Sequence, residues 1–208
     1  MNVLALDTST ERISVAIKRG EDVYGVCFLG KRKHVEVLPK LIEVVLERAD
    51  LRADELNVVG VGIGPGSLTG LRVGIATAVG LVAPFDTPIV TLVSFEMAAK
   101  SLPIDGVIVV SRKAREGFRY FAAYEKRGKE SSVVKPPCVD SVHAYGDFLE
   151  KVRPSVILED EYTISPFVLV EETEKAFNEG KAIHYFQIEP LYLQKSIAEM
   201  NLEKKKGG

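Results

Sequence analysis

The chain has 208 residues, 46% of them hydrophobic, and 27 basic side chains against 29 acidic ones for a formal net charge of −2. That length holds one large core or two small ones. The balanced charge argues against a chain that grips nucleic acid through a basic excess of its own.

The chain opens with three short β-rich runs, VLALDT (3–8), RISVAIKR (12–19) and DVYGVCFLG (22–30), separated by turn residues. They read as an antiparallel meander with a tight second turn at Gly20. From His34 to Asp50 the period changes to that of a helix. Val35, Leu38, Leu41, Ile42, Val45 and Ala49 share an apolar face, which Val37 and Val44 widen, while Glu36, Lys40, Glu43 and Glu47 form a narrow polar stripe. A helix lying on a sheet needs one apolar stripe only. The surplus points either to burial on two sides or to a deep core helix under a loop. NVVGVGIG (57–64) then reads as a buried strand, LTGLRVGIATAVGLVA (68–83) as a helix, PIVTLV (88–93) as a strand and SFEMAAKSL (94–102) as a helix. The order β-β-β-α-β-α-β-α implies parallel strands added to the meander by crossover helices.

A second sheet is expected after Pro103, from GVIVVS (106–111), FRYFAAYE (118–125), SVVK (132–135) and SVILE (155–159), with a helix at 142–152. Residues 163–180 are ambiguous, with a helix ending at Gly180 as one reading. The tail from Pro190 has helical spacing through Ile197 and Met200. The longest near-uncharged run, Val58 to Phe85, is interrupted by Pro65 and several glycines and carries Arg72, so no membrane span is expected. Cys27 and Cys138 are far apart and lack CxxC spacing, and no signal peptide is evident. A reducing, cytoplasmic setting is expected.

The most conspicuous motif is GIGPGSLTGLRVG, residues 62–74. It misses a Walker A loop for want of the lysine and of a four-residue gap between glycines. It misses a dinucleotide fingerprint because Thr69 stands at the third glycine, and a hydrolase elbow because Ser67 lacks GxSxG flanks. What remains is a small residue every fourth position, Gly66, Gly70, Gly74 and Ala78, with Ser67 placed to cap the helix. Such a face admits close approach of another element, either within this chain or from a partner. Spacing alone favours the internal one.

Asp7, Thr8, Ser9 and Thr10 follow the first strand. Such a loop can wrap a phosphate, with the carboxylate holding hydrated magnesium, although these are also ordinary turn residues. His34, His143 and His184 have no metal-ligand spacing, so no metal site and no catalytic residue is assigned. Arg112, Lys113, Arg115 and Arg119 cluster beside a turn, where a solvated face is the simpler reading.

ALDTST, the helix HVEVLPKLIEVVLERA, GIGPGSLTGLRVG and VSFEMAA together resemble the TsaB (YeaZ) family over residues 2–100. AREGFRYFAAY (114–124) and PLYLQ (190–194) extend the likeness more weakly, with Lys113 where the family has an acid. The resemblance implies an actin/Hsp70-like two-lobed α/β fold: an N-terminal lobe over 1–103 that carries pairing, and a smaller, degenerate C-terminal lobe over 104–208 with the tail from about 190 packing back on the first. It implies a non-catalytic subunit for N6-threonylcarbamoylation of the adenosine next to the anticodon in tRNA. The partners implied are the catalytic subunit TsaD and the ATPase TsaE, with a homodimer when alone and tRNA met only through the complex. Pairing would use the helices at about 34–49 and 68–82, through His34, Val37, Leu41, Val44, Ser67, Gly70, Gly74 and Ala78. On this resemblance the small-residue face is assigned to a partner. The alternative is an ATP-dependent small-molecule kinase of the same superfamily, with weak ATP or ADP and magnesium at Asp7, Thr8, Ser9 and Thr10. A peptidase reading has neither a zinc motif nor a nucleophile elbow behind it.

Overall fold

The computed structural model describes residues 1–30 and 33–193. The helix expected through Ile197 and Met200 lies outside them. Nine strands and five helices follow one another among the described residues.

The first sheet is built from β1 (Asn2–Asp7), β2 (Arg12–Arg19), β3 (Asp22–Leu29), β4 (Val58–Gly64) and β5 (Ile89–Val93), in the order β3-β2-β1-β4-β5. The meander is antiparallel, and β4 and β5 run parallel to β1. Side chains alternate across a strand, so β1 feeds two cores. Leu4 and Leu6 face the helices α1 (His34–Ala49) and α2 (Leu68–Val82), together with Ile13, Val15 and Ile17. Val3 and Ala5 face the opposite way, into a core shared with the rest of the chain. Burial on both sides explains why β1 and β4 are apolar at nearly every position instead of alternating.

The second sheet has β6 (Gly106–Lys113), β7 (Phe118–Arg127), β8 (Glu130–Ser141) and β9 (Val156–Glu159) in the order β8-β7-β6-β9. Helix α4 (Val142–Val152) covers one face through a small core of Val109, Phe121, Ala123 and Tyr145. Helix α3 (Ser94–Lys100) packs on the other. Strand β8 is longer than the expected 132–135 because it runs on through Pro136 and Pro137. Proline is tolerated there because β8 is an edge strand, with register shifts opposite Phe121 to Tyr124.

Helix α5 (Pro166–Asn178) resolves the ambiguous segment, with proline in the first turn and Gly180 in a left-handed conformation just beyond its end. Although it follows the second sheet in sequence, it lies across the first, touching β1, β2, β3, β4 and β5. The approach depends on Gly60, where an added Cβ would fall 1.9 Å from Thr173 Oγ1. The largest core therefore combines Val3, Ala5 and Val58 of the first sheet with Phe95, Ile108, Val110 and Tyr124, closed by Leu169 and Val170 of α5. The last described residues also return to the first sheet. Ile183 forms a bridge with Ile89, and Leu191 N–H donates to the Ile63 carbonyl at 2.8 Å.

Gly60→Ala is expected to destabilise the protein by about 1–3 kcal/mol through overpacking. Adding Thr173→Ala should recover part of that loss. Chemical denaturation of the two single variants and the double variant measures the coupling.

Candidate functional site

Two places bring together the residues singled out in the sequence: the loop after β1, and the surface of α1 and α2.

Asp7, Thr8, Ser9 and Thr10 are all buried. Asp7 Oδ1 accepts from Ser9 N–H at 2.8 Å and Ser9 Oγ at 2.6 Å, and Oδ2 accepts from Ser94 Oγ at 2.6 Å. Ser94 Oγ in turn accepts from Gly64 N–H at 3.0 Å. Thr8 Oγ1 donates to the Gly70 carbonyl at 2.8 Å, and Thr10 Oγ1 donates to the Arg12 carbonyl at 3.0 Å. The Ser9 carbonyl accepts twice, from Ser67 N–H at 2.7 Å and from Arg112 at 2.9 Å. All four side chains proposed as nucleotide ligands are thus engaged within the chain. These side chains serve to hold the loop against β4, α2 and α3. Burial pushes the Asp7 carboxyl above its ordinary range, against the lowering influence of the Ser9 and Ser94 hydrogen bonds and the Arg112 charge.

The glycine stripe of α2 faces inward. Gly70, Gly74 and Ala78 are buried in this chain. A Cβ on Gly70 would fall 2.1 Å from the Thr8 carbonyl, one on Gly74 2.2 Å from Thr8 Oγ1, and one on Gly66 2.4 Å from the Ser9 carbonyl. The element that approaches so closely is the chain's own loop, as spacing alone favoured. Ser67 caps α2, accepting from Gly70 N–H at 3.3 Å. His34 Nε2 lies 2.9 Å from the Thr10 carbonyl, which can only accept, so that nitrogen carries the proton.

The outward stripe of α2 is offset by two residues. Leu68, Arg72, Ala76 and Gly80 are exposed, again every fourth position. Leu68–Phe85 is long and apolar enough to cross a membrane by length and composition alone, a criterion that the core helix of a globular protein also meets. Pro65 precedes the helix instead of breaking it. Five buried residues nevertheless pack α2 on the sheet, while only 28% of the apolar window is buried. Gly80 has nothing within 4 Å of an added Cβ, and mid-helix glycine costs about 1 kcal/mol relative to alanine. Beside it, α1 buries Leu38, Ile42, Val45 and Ala49, with Val37 and Leu41 half-buried and Val35 and Val44 exposed. The surplus apolar surface of α1 is therefore turned to the outside. A groove of about 1060 Å³ runs between the helices, lined by Pro39, Ile42 and Leu46 of α1 and Thr77 and Leu81 of α2 together with charged residues that include Lys40, Glu43, Glu47, Arg52 and Glu55. Leu68, Ala76 and Gly80 are the candidates the sequence reading missed. The available signal was that α2 is apolar all round, apart from Arg72.

The histidines are scattered. His34 opens α1, His143 faces Asp147 in α4 at 3.8 Å, and His184 pairs with Asp86 at 2.5 Å. In the basic cluster, Arg119 pairs with Asp160 at 3.1 Å and Arg115 lies over the Phe118 ring at 4.1 Å.

Residues 28–201 match the family described as TsaD, tRNA N6-adenosine threonylcarbamoyltransferase. A protein named tRNA threonylcarbamoyladenosine biosynthesis protein TsaB from Bacillus subtilis is 32% identical, over 76% of this chain and 70% of its own length. The Escherichia coli protein of the same name is 26% identical over 95% and 96%. The solved structure of YeaZ from Pseudomonas aeruginosa superposes with a TM-score of 0.80 at 22% identity, covering 92% of this chain and 99% of that one. The mixed α/β fold with two sheets is shared.

Gly70→Val is expected to lower stability by at least about 1–3 kcal/mol, because the new side chain meets backbone that cannot swing away. Urea unfolding reads that loss. The Asp7 carboxyl should titrate above 3.8 in the folded protein, as followed by carbon NMR. The unfolded chain releases this proton at lower pH. The group's contribution to stability is therefore full below about pH 3.8 and is lost as pH rises through the folded value.

Proposed function

The chain belongs to the TsaB (YeaZ) family of tRNA threonylcarbamoyladenosine biosynthesis proteins, and we propose that it serves that pathway as a non-catalytic subunit. Its partner would be a TsaD-type catalytic subunit, held against the outer surfaces of α1 and α2. An ATPase of the TsaE type would join the assembly, the chain would self-associate when alone, and tRNA would be met only through the complex in the cytoplasm.

The observation that carries this reading is the outward face of α2. Leu68, Arg72, Ala76 and Gly80 line an exposed strip beside a large groove, with Arg72 donating to the Tyr192 hydroxyl at 3.3 Å, on a helix whose other face is filled by the chain's own loop. Small residues on that strip let a second helix come close enough for backbone contact and dispersion. The Asp7–Thr10 loop supports a non-catalytic part, since its hydroxyls and carboxylate hold the fold together instead of facing a substrate.

Ala76→Arg and Gly80→Arg place a long charged side chain on the strip without touching the sheet. Both variants are expected to stay folded and to bind the TsaD-type subunit at least tenfold more weakly, a difference of about 1.4 kcal/mol. Co-purification followed by mass measurement, with circular dichroism to confirm folding, checks this. Folded variants that pair as the parent does would refute the assignment of this face.

A further inference from the structure

Arg72 is the only charged residue of α2, and it stands exposed in the outward strip between Leu68 and Ala76. Its Nε donates to the Tyr192 hydroxyl at 3.3 Å. Tyr192 belongs to a segment that is fastened beside α2 at both ends. Ile183 bridges to Ile89 and His184 pairs with Asp86 at 2.5 Å, both beyond the C-terminal end of the helix. Leu191 N–H donates to the Ile63 carbonyl at 2.8 Å, ahead of the N-terminal end. The phenol is thereby held where it orients the guanidinium.

A guanidinium carries five N–H donors and keeps its charge at any ordinary pH. Arg72 commits one of them to Tyr192, and no carboxylate among the described residues pairs with it. The phenol oxygen accepts that bond and still has its own proton to donate. In water an exposed arginine needs no further partner. That changes once another helix covers the strip, and the inference rests on that reading of α2. Leu68, Ala76 and Gly80 have no side-chain acceptor to offer, so the acceptor has to come from the covering surface. A charge buried without one is strongly unfavourable. A carboxylate matches the planar fork of the guanidinium best.

We propose that the TsaD-type partner presents an Asp or Glu side chain to Arg72, with Tyr192 positioning the guanidinium and donating its hydroxyl to the same carboxylate. The face then selects its occupant by chemistry: a helix with small or apolar side chains around one acidic group. Ala76 and Gly80 allow the close approach, and Arg72 fixes the register along the strip.

The test compares the parent, Arg72→Met and Tyr192→Phe for binding to the purified TsaD-type subunit, by calorimetry at low and high sodium chloride. Circular dichroism confirms folding. Methionine keeps the length of the side chain without its charge. Arg72→Met is expected to bind at least tenfold more weakly, because it leaves the partner's carboxylate covered and unanswered. Its affinity should also depend less on salt than the parent's. Tyr192→Phe should bind several-fold more weakly. An Arg72→Met protein that binds as well as the parent or better, as when a neutral apolar surface meets the strip, would overturn the proposal. So would one that loses only self-association. Gly80→Arg separates the two levels of the argument. If it abolishes pairing while Arg72→Met does not, the face stands and the carboxylate falls. If Gly80→Arg pairs as the parent does, the face and this inference fall together.

Discussion

The Ser9 carbonyl accepts hydrogen bonds from two sides, from the N-terminus of α2 through Ser67 and from the second sheet through Arg112. That one oxygen joins the first sheet, the helix that packs on it and the other half of the molecule. The close approach it needs is made possible by Gly66 and Gly70, whose missing side chains leave room for the loop backbone. The Asp7 carboxylate, buried and accepting three hydrogen bonds, fixes the shape of the loop around it. A buried charge of this kind gives geometry more than net stability.

A second consequence is that the two sheets share a core, beside the separate one that each keeps under its own helices. Helix α3 reaches the second sheet while α5 returns to the first, and both close the shared apolar interior. Removing the side chain at Gly60 lets α5 sit directly on β4. With the inner face of the first sheet sealed by the chain itself, the surplus apolar surface lies on the opposite side, along α1 and α2.

Much of this order was legible. β1 to β5 and the first three helices follow from short β-rich runs, glycine turns and a change of period, since those signals are local. β8 was harder to read because Pro136 and Pro137 argue against a strand unless it is known to lie at an edge. Helix α5 was ambiguous because its apolar face is matched to strands far earlier in the chain, from β1 to β5. The glycine stripe of α2 shows the limit most clearly. Spacing identified a surface built for close approach, but not which element approaches, and the family resemblance drew the inference towards a partner. Thr8 occupies that place instead. The outward strip at Leu68, Arg72, Ala76 and Gly80 has the same four-residue spacing, with small residues only in its second half, and it is exposed where the inward stripe is buried.

The central claim is that a partner covers this outward strip, and site-directed labelling tests it most directly. A cysteine introduced as Ala76→Cys would be compared with the native, exposed Cys27 at the β3 edge, which serves as an internal control. In dilute free protein both thiols should react with a maleimide. On assembly with the TsaD-type subunit, position 76 should become protected while Cys27 stays reactive. Undiminished labelling of position 76 in the assembled complex would contradict the account.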